Sequence, residues 1–185
     1  MKFVKVFVLF CLVAFFLIAL PSASVYAKPP ATDQTEEKQK DPKVVLVKEI
    51  IDDHKKAIKK ESAETGIPVP VIVAVIAAES MNNPGTISPK GAKGLMQTLP
   101  VADKTTRTTC NASYPACQIK KGARYIQHLI ENEGIPKWSR VFLAYNEGPT
   151  GSRRFKTPEK VLAHSYVKKC TNYFHIAQAV LAHKI

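Results

Sequence analysis

Ten consecutive residues without a charge, Val69-Pro70-Val71-Ile72-Val73-Ala74-Val75-Ile76-Ala77-Ala78, lead directly into Glu79. The run is rich in Val and Ile, which favour strands. Pro70 suits a first helical turn, however, and the closing Ala77-Ala78 suits a helix interior, so the segment is expected to be a buried helix. A carboxyl attached to such a segment is drawn out of water, which disfavours its charged form and raises its pKa. That property suits an acid that must donate a proton near neutral pH. Two segments rich in glycine and amides follow in order: Ser88-Pro89-Lys90-Gly91-Ala92-Lys93-Gly94-Leu95-Met96-Gln97, then Ala144-Tyr145-Asn146-Glu147-Gly148-Pro149.

The N-terminus bounds where such chemistry would take place. Lys2 and Lys5 precede fifteen apolar residues, Val6 to Leu20, and Pro21 and small residues follow as far as Ala27. This is the pattern of a secretory signal peptide cut after Ala27. The other reading is an uncleaved anchor, but the run is short of the ~20 residues a span needs. Cys11 is a poor lipidation site, because Phe10 stands where a small residue is wanted. Residues 28–43 (KPPATDQTEEKQKDPK) are polar and lack an apolar cluster, as in a flexible tether. Residues 44–185 are of a size for one domain with a real core.

Loss of the two signal lysines takes the formal charge from +12 to +10, all of it on the domain. Basic clusters stand at Lys55-Lys56 with Lys59-Lys60, Lys120-Lys121 with Arg124, Arg153-Arg154 with Lys156, and Lys168-Lys169. A solvated face explains them most simply. An anionic partner, such as cell-wall polymer or a membrane surface, is the functional alternative. Nucleic acid is not expected, since no recognised binding motif accompanies the charge. With Cys11 removed, Cys110, Cys117 and Cys170 remain, and an exported chain would form one disulfide from them. Cys110 with Cys117 would staple a short loop, and pairing of either with Cys170 is the alternative. No metal site is expected, the five histidines being scattered, and His54 reads as structural.

Apolar spacing predicts a helix over 44–64, stopped by Gly66 and Pro68. Residues 82–109 read as loops with a short helix or a small hairpin. An amphipathic helix is expected over 119–133. A shorter one, capped by Ser139, runs through Tyr145 to Gly148-Pro149. Thr157-Pro158-Glu159 is a strong helix start, with helical pattern continuing towards Ala182. The fold class is therefore mostly α with one long loop region.

Ala78-Glu79-Ser80, Ser88 through Gln97 with Pro100, Gly122-Ala123-Arg124-Tyr125, and Ala144-Tyr145-Asn146 with Gly148-Pro149 together resemble the lytic transglycosylases of the soluble-transglycosylase catalytic-domain type, relatives of goose-type lysozyme. Ser165-Tyr166-Val167 with Lys168 is a weaker match. The resemblance covers about residues 66–170. It implies a lysozyme-like α domain that cleaves the β-1,4 bond between N-acetylmuramic acid and N-acetylglucosamine in peptidoglycan and leaves a 1,6-anhydro end. Glycosidases generally use two carboxylates. This reaction needs one, because the muramic acid 6-hydroxyl replaces water.

The resemblance makes Glu79 the acid and then the base, with Tyr145 beside it or beside the substrate's N-acetyl group. It makes Ser88, Gln97 and Asn146 substrate-binding residues, and Met96 a packing residue. It implies no cofactor and no metal, glycan strands of peptidoglycan as partner, and a monomer without a membrane span once the signal is removed. A single small domain on a tether resembles enzymes that open the wall for secretion, pilus or conjugation machines, acting in the periplasm or at the cell wall. Glu147 departs from the small residue usual in the family. It and Asp103 are the carboxylates on which a water-using lysozyme-type reaction would rest, and a catalytically inactive wall-binding module is the remaining alternative.

Overall fold

The computed structural model describes residues 41–135 and 137–183; the signal peptide and all but the last three residues of the tether expected from the sequence lie outside them. Seven helices follow one another among the described residues: α1 (Pro42–Thr65), α2 (Val69–Glu79), α3 (Pro100–Thr106), α4 (Pro115–Glu131), α5 (Trp138–Ser152), α6 (Pro158–Ala163) and α7 (Ser165–Ala182). The mostly α class expected from the sequence is what the structure shows. Helix α1 begins two residues earlier than the apolar spacing suggests. Asp41 caps it by accepting from the Lys43 amide at 2.8 Å, and Pro42 occupies its first position.

Helix α2 is the centre of the core. Its residues 71–78 are all buried, and α1, α4 and α7 cover it. Each fully buried Val or Ile contributes about 1.5–3 kcal/mol. That outweighs the few tenths of a kcal/mol by which β-branched residues disfavour a helix. The run is thus helical because three neighbouring helices remove every side of it from water.

The loop region after α2 carries two isolated antiparallel bridges, Ile87 with Lys93 and Lys93 with Thr98. These are the rudiment of the expected hairpin. One buried side chain holds this lobe to α4: Gln118 Oε1 accepts from the Leu95 amide at 2.8 Å, and Nε2 donates to Pro84 O at 3.1 Å and Ala112 O at 2.8 Å. A Cβ at Gly94 would lie 2.3 Å from the Gln118 side chain, so only glycine lets the loop close on its clamp. Cys110 and Cys117 form the disulfide at the entry to α4, and Cys170 is a buried free thiol.

Three elements differ from expectation. Ser139 does not cap α5, which starts at Trp138 with Lys137 before it and no side-chain cap. The break at Gly148 (φ 73°, ψ 161°) does not end that helix, which resumes through Pro149 to Ser152. The C-terminal pattern is interrupted at His164 (φ −64°, ψ 130°), which separates α6 from α7. That turn lets Val161 of α6 pack into the core while α7 runs back along α2.

Several cations of the basic clusters are taken up internally. Lys121 pairs with Asp103 at 2.6 Å, Arg124 with Glu64 at 3.0 Å, and Arg153 with Glu133 at 3.2 Å. Lys55, Lys56 and Lys59 are exposed on α1.

Candidate active site

Glu79 is the last residue of α2, so its position follows from the burial of that helix. The carboxyl is half-buried. The Tyr166 hydroxyl on α7 donates to Glu79 Oε1 at 2.6 Å. One turn further along α7, Lys169 Nζ donates to the Ala78 carbonyl at 2.5 Å. Burial raises the Glu79 pKa above the ordinary carboxylate value; the Tyr166 hydrogen bond and the Lys169 charge oppose it without cancelling it. The end of α2 acts in the same sense as burial, because a helix C-terminus carries partial negative charge.

The chain leaves Glu79 through a tight turn. Ser80 Oγ donates to Leu95 O at 2.9 Å, tying the helix end to the loop lobe. Met81 and Asn82 follow in the left-handed region (φ 50° and 68°). Asn82 is held by His54 Nε2 on its Oδ1 at 2.9 Å, while its own Nδ2 donates to Asp53 at 2.8 Å. His54, at a kink in α1, is therefore a brace for this turn.

Tyr145 of α5 reaches the same region from the other side. Its hydroxyl donates to the Met96 carbonyl at 2.7 Å, and its ring meets Tyr125 of α4 edge-on at 5.4 Å. Burial pushes its pKa well above the usual phenol value, and the Glu79 charge adds to that. It makes no hydrogen bond to Glu79. The hydroxyl that touches the carboxyl belongs to Tyr166, whose pKa burial likewise drives well up.

A cleft of about 490 Å³ lies between the loop lobe and α5, with Gln97, Tyr125, Tyr145, Asn146 and Glu147 among its walls. Gln97 is left-handed (φ 46°), and its Nε2 donates to Thr86 O at 2.8 Å and Gly94 O at 2.9 Å. Both amide protons are committed, so Oε1 is the atom this side chain can offer a ligand. Asn146 is exposed at the cleft. Ser88 and Glu79 are not part of this wall. Ser88 Oγ accepts from the Ala92 amide at 3.0 Å and closes a turn. The structure thus brings Gln97, Tyr145 and Asn146 together around one cleft, with Tyr145 the link to Glu79.

The other carboxylates near the cleft are engaged. Glu147 takes Arg154 on Oε2 at 2.9 Å and lies 3.5 Å from His164 through Oε1. Asp103 holds Lys121, and Glu133 holds Arg153. No group of three or more His, Cys, Asp or Glu able to hold a metal occurs among the described residues. No helix among them is long and apolar enough to cross a membrane.

Sequence reasoning gave Tyr166 only a place in a weak motif and Lys169 no part in the site. The available signal was spacing: Tyr166, Lys169, Cys170 and Tyr173 share one face of a helix, a polar–apolar stripe that must meet something buried.

With this geometry in place, comparison with known proteins gives a consistent result. The chain is 31% identical over 105 residues to a transglycosylase of Enterobacteria phage PRD1, across 55% of this chain and 38% of the relative. It therefore spans well under half of that protein's length. In fold it is similar to the X-ray structure of an inactive mutant of lytic transglycosylase Slt from Pseudomonas aeruginosa, with a TM-score of 0.61 and 24% identity. That match covers 70% of this chain and 24% of the other. The family described as "Transglycosylase SLT domain" matches residues 56–166, more than half of the chain and the span that holds Glu79, the cleft and Tyr166, and the protein belongs to that family.

Proposed function

We propose that this protein is an exported peptidoglycan lytic transglycosylase in which Glu79 performs both proton transfers. The observation that carries the reading is the Glu79 carboxyl: half-buried, raised in pKa and held by one hydroxyl, while Glu147 and Asp103 are each tied to a cation. Protonated Glu79 gives its proton to the glycosidic oxygen as the bond from muramic acid C1 breaks, and the N-acetyl group assists at C1. The carboxylate then takes the proton of the 6-hydroxyl as that oxygen closes on C1. No water is added, so the product carries a 1,6-anhydro end.

Tyr145 stands beside this chemistry as a catalytic residue. Gln97 and Asn146 bind the glycan along the cleft, and Ser88 contacts it from the loop lobe. Residues 1–27 act as a signal peptide, 28–43 as a tether and 44–185 as the catalytic domain. Local wall opening for a secretion, pilus or conjugation system, in the periplasm or at the wall, is the role proposed for that activity.

The test is digestion of purified peptidoglycan with the wild type, Glu79→Gln and Glu147→Gln, read by mass spectrometry. Muropeptides lighter by one water are expected from the wild type and from Glu147→Gln, and none from Glu79→Gln. Free reducing ends, or activity lost with Glu147 and kept without Glu79, would overturn the proposal.

A further inference from the structure

The C-terminal end of α2 must do two things: present Glu79 in one place and satisfy its own last carbonyls. A helix leaves its final C=O groups without intrahelical partners. At the end of α2, Ile76 O accepts from the Ser80 amide at 3.1 Å. Ala78 is buried, so its carbonyl cannot rely on water, and the partner it has is the Lys169 ammonium at 2.5 Å. Lys169 and Tyr166 are three residues apart on α7 and grip the same turn, one by the backbone of residue 78 and the other by the side chain of residue 79.

We propose that Lys169 is a positioning residue for Glu79: by binding the Ala78 carbonyl it fixes the last turn of α2, and its charge steadies the carboxylate that forms after the first proton transfer. The inference rests on Glu79 being the acid and extends that reading to a residue that touches neither substrate nor the carboxyl.

The surrounding groups make Lys169 the charge that matters. From α7, Tyr166 and Cys170 face Glu79. Tyr145 faces it from α5, with Tyr125 of α4 behind it. Burial keeps the Tyr145 and Tyr166 hydroxyls neutral and pushes the Cys170 thiol to about 12. From α1, Asp53 and His54 are occupied by Asn82. Lys169 is thus the cation whose field reaches the carboxyl. Lys169 is an exposed residue, so salt weakens this field.

Three variants separate the two parts of the proposal. Lys169→Arg keeps charge and donor, Lys169→Gln keeps a donor alone, and Lys169→Met keeps neither. The first readout is the titration of the Glu79 carboxyl carbon by NMR in glutamate-labelled protein, with thermal unfolding to verify the fold. The midpoint is expected to move up in Lys169→Met and Lys169→Gln and to stay in Lys169→Arg. The second readout is digestion kinetics, where a loss of about 10-fold in kcat with KM within about 2-fold is expected for Lys169→Met.

An unmoved Glu79 midpoint in Lys169→Gln, or in Lys169→Met if that variant folds, overturns the proposal even if activity falls. Peptidoglycan digestion by Glu79→Gln would overturn the catalytic role of Glu79 while leaving the titration result standing, so the two failures are distinguishable.

Discussion

Gly122 lies inside α4, where an Ala would ordinarily be an improvement of about 0.8–1.0 kcal/mol. Here a Cβ would sit 2.3 Å from Met96 Sδ and 2.6 Å from both Met96 Cβ and Cε. Carbon and sulfur contacts optimise near 3.5–4.0 Å, so the overlap exceeds 1 Å. One of the clashing atoms is the Met96 Cβ, so a change of rotamer cannot relieve it and the loop backbone must move. Overpacking of this kind costs about 1–3 kcal/mol. Taking the upper end and subtracting the helix gain leaves Gly122→Ala destabilised by roughly 2 kcal/mol, or a Tm lower by about 6–8 °C in a domain of this size.

Met96 also supplies the carbonyl that holds the Tyr145 hydroxyl, so displacement of the loop reaches the site. A shift of about 1 Å there is expected to lower peptidoglycan digestion by 10- to 100-fold. Urea and thermal unfolding of Gly122→Ala, Met96→Gly and the double variant measure the clash directly, since glycine at 96 also removes the clashing Cβ. The double variant should be more stable than the sum of the single losses by 1 kcal/mol or more. A Gly122→Ala protein as stable as wild type, or a cycle without coupling, would refute the packing argument.

Replacing Tyr166 with Phe removes the donor to a carboxyl that must bear charge during turnover. The basic limb of the pH–rate profile should move to higher pH and kcat should fall by about 10-fold or more, a hydrogen bond to a charged group being worth roughly 1.5–3 kcal/mol. The sign for stability follows from the raised Glu79 pKa: above the unfolded value the unfolded chain binds fewer protons than the native one, so stability falls as pH rises towards the folded pKa. Glu79→Gln, compared with wild type by denaturant titration at several pH values, should therefore gain relative stability as pH rises from about 4.5. Cys170 should resist thiol reagents at pH 8 in the native state and react on unfolding, since the thiol is buried and its pKa stands at about 12. The Cys110–Cys117 pair should release two further thiols only after reduction.

Much of the architecture is local and was legible in the chain. The charge-free run had to be buried, and Pro70 with Ala77-Ala78 marked it in the sequence as a helix that delivers Glu79 at its end. Gly66 in the left-handed region closes α1, and Thr157 accepts from the Lys160 amide at 3.4 Å to open α6. The segments around Gln97 and Tyr145 do line one cleft.

Other features depend on what lies across space. The break at His164 has no glycine or proline to announce it; the need of α6 and α7 to pack on different partners imposes it. The hydroxyl on Glu79 comes from Tyr166, 87 positions away, because α7 is the neighbour that covers α2. Glu147 does line the cleft, and its partners there, Arg154 and His164, come from later in the chain and are set by the packing of α5 and α6. Sequence by itself determined that a carboxyl would stand at the end of a buried helix, since burial of an uncharged run depends only on its composition. Tertiary structure decided which hydroxyl, which ammonium and which backbone carbonyl surround that carboxyl, because those contacts arise only when α1, α4 and α7 pack around α2 and α5 packs on α4 and α7.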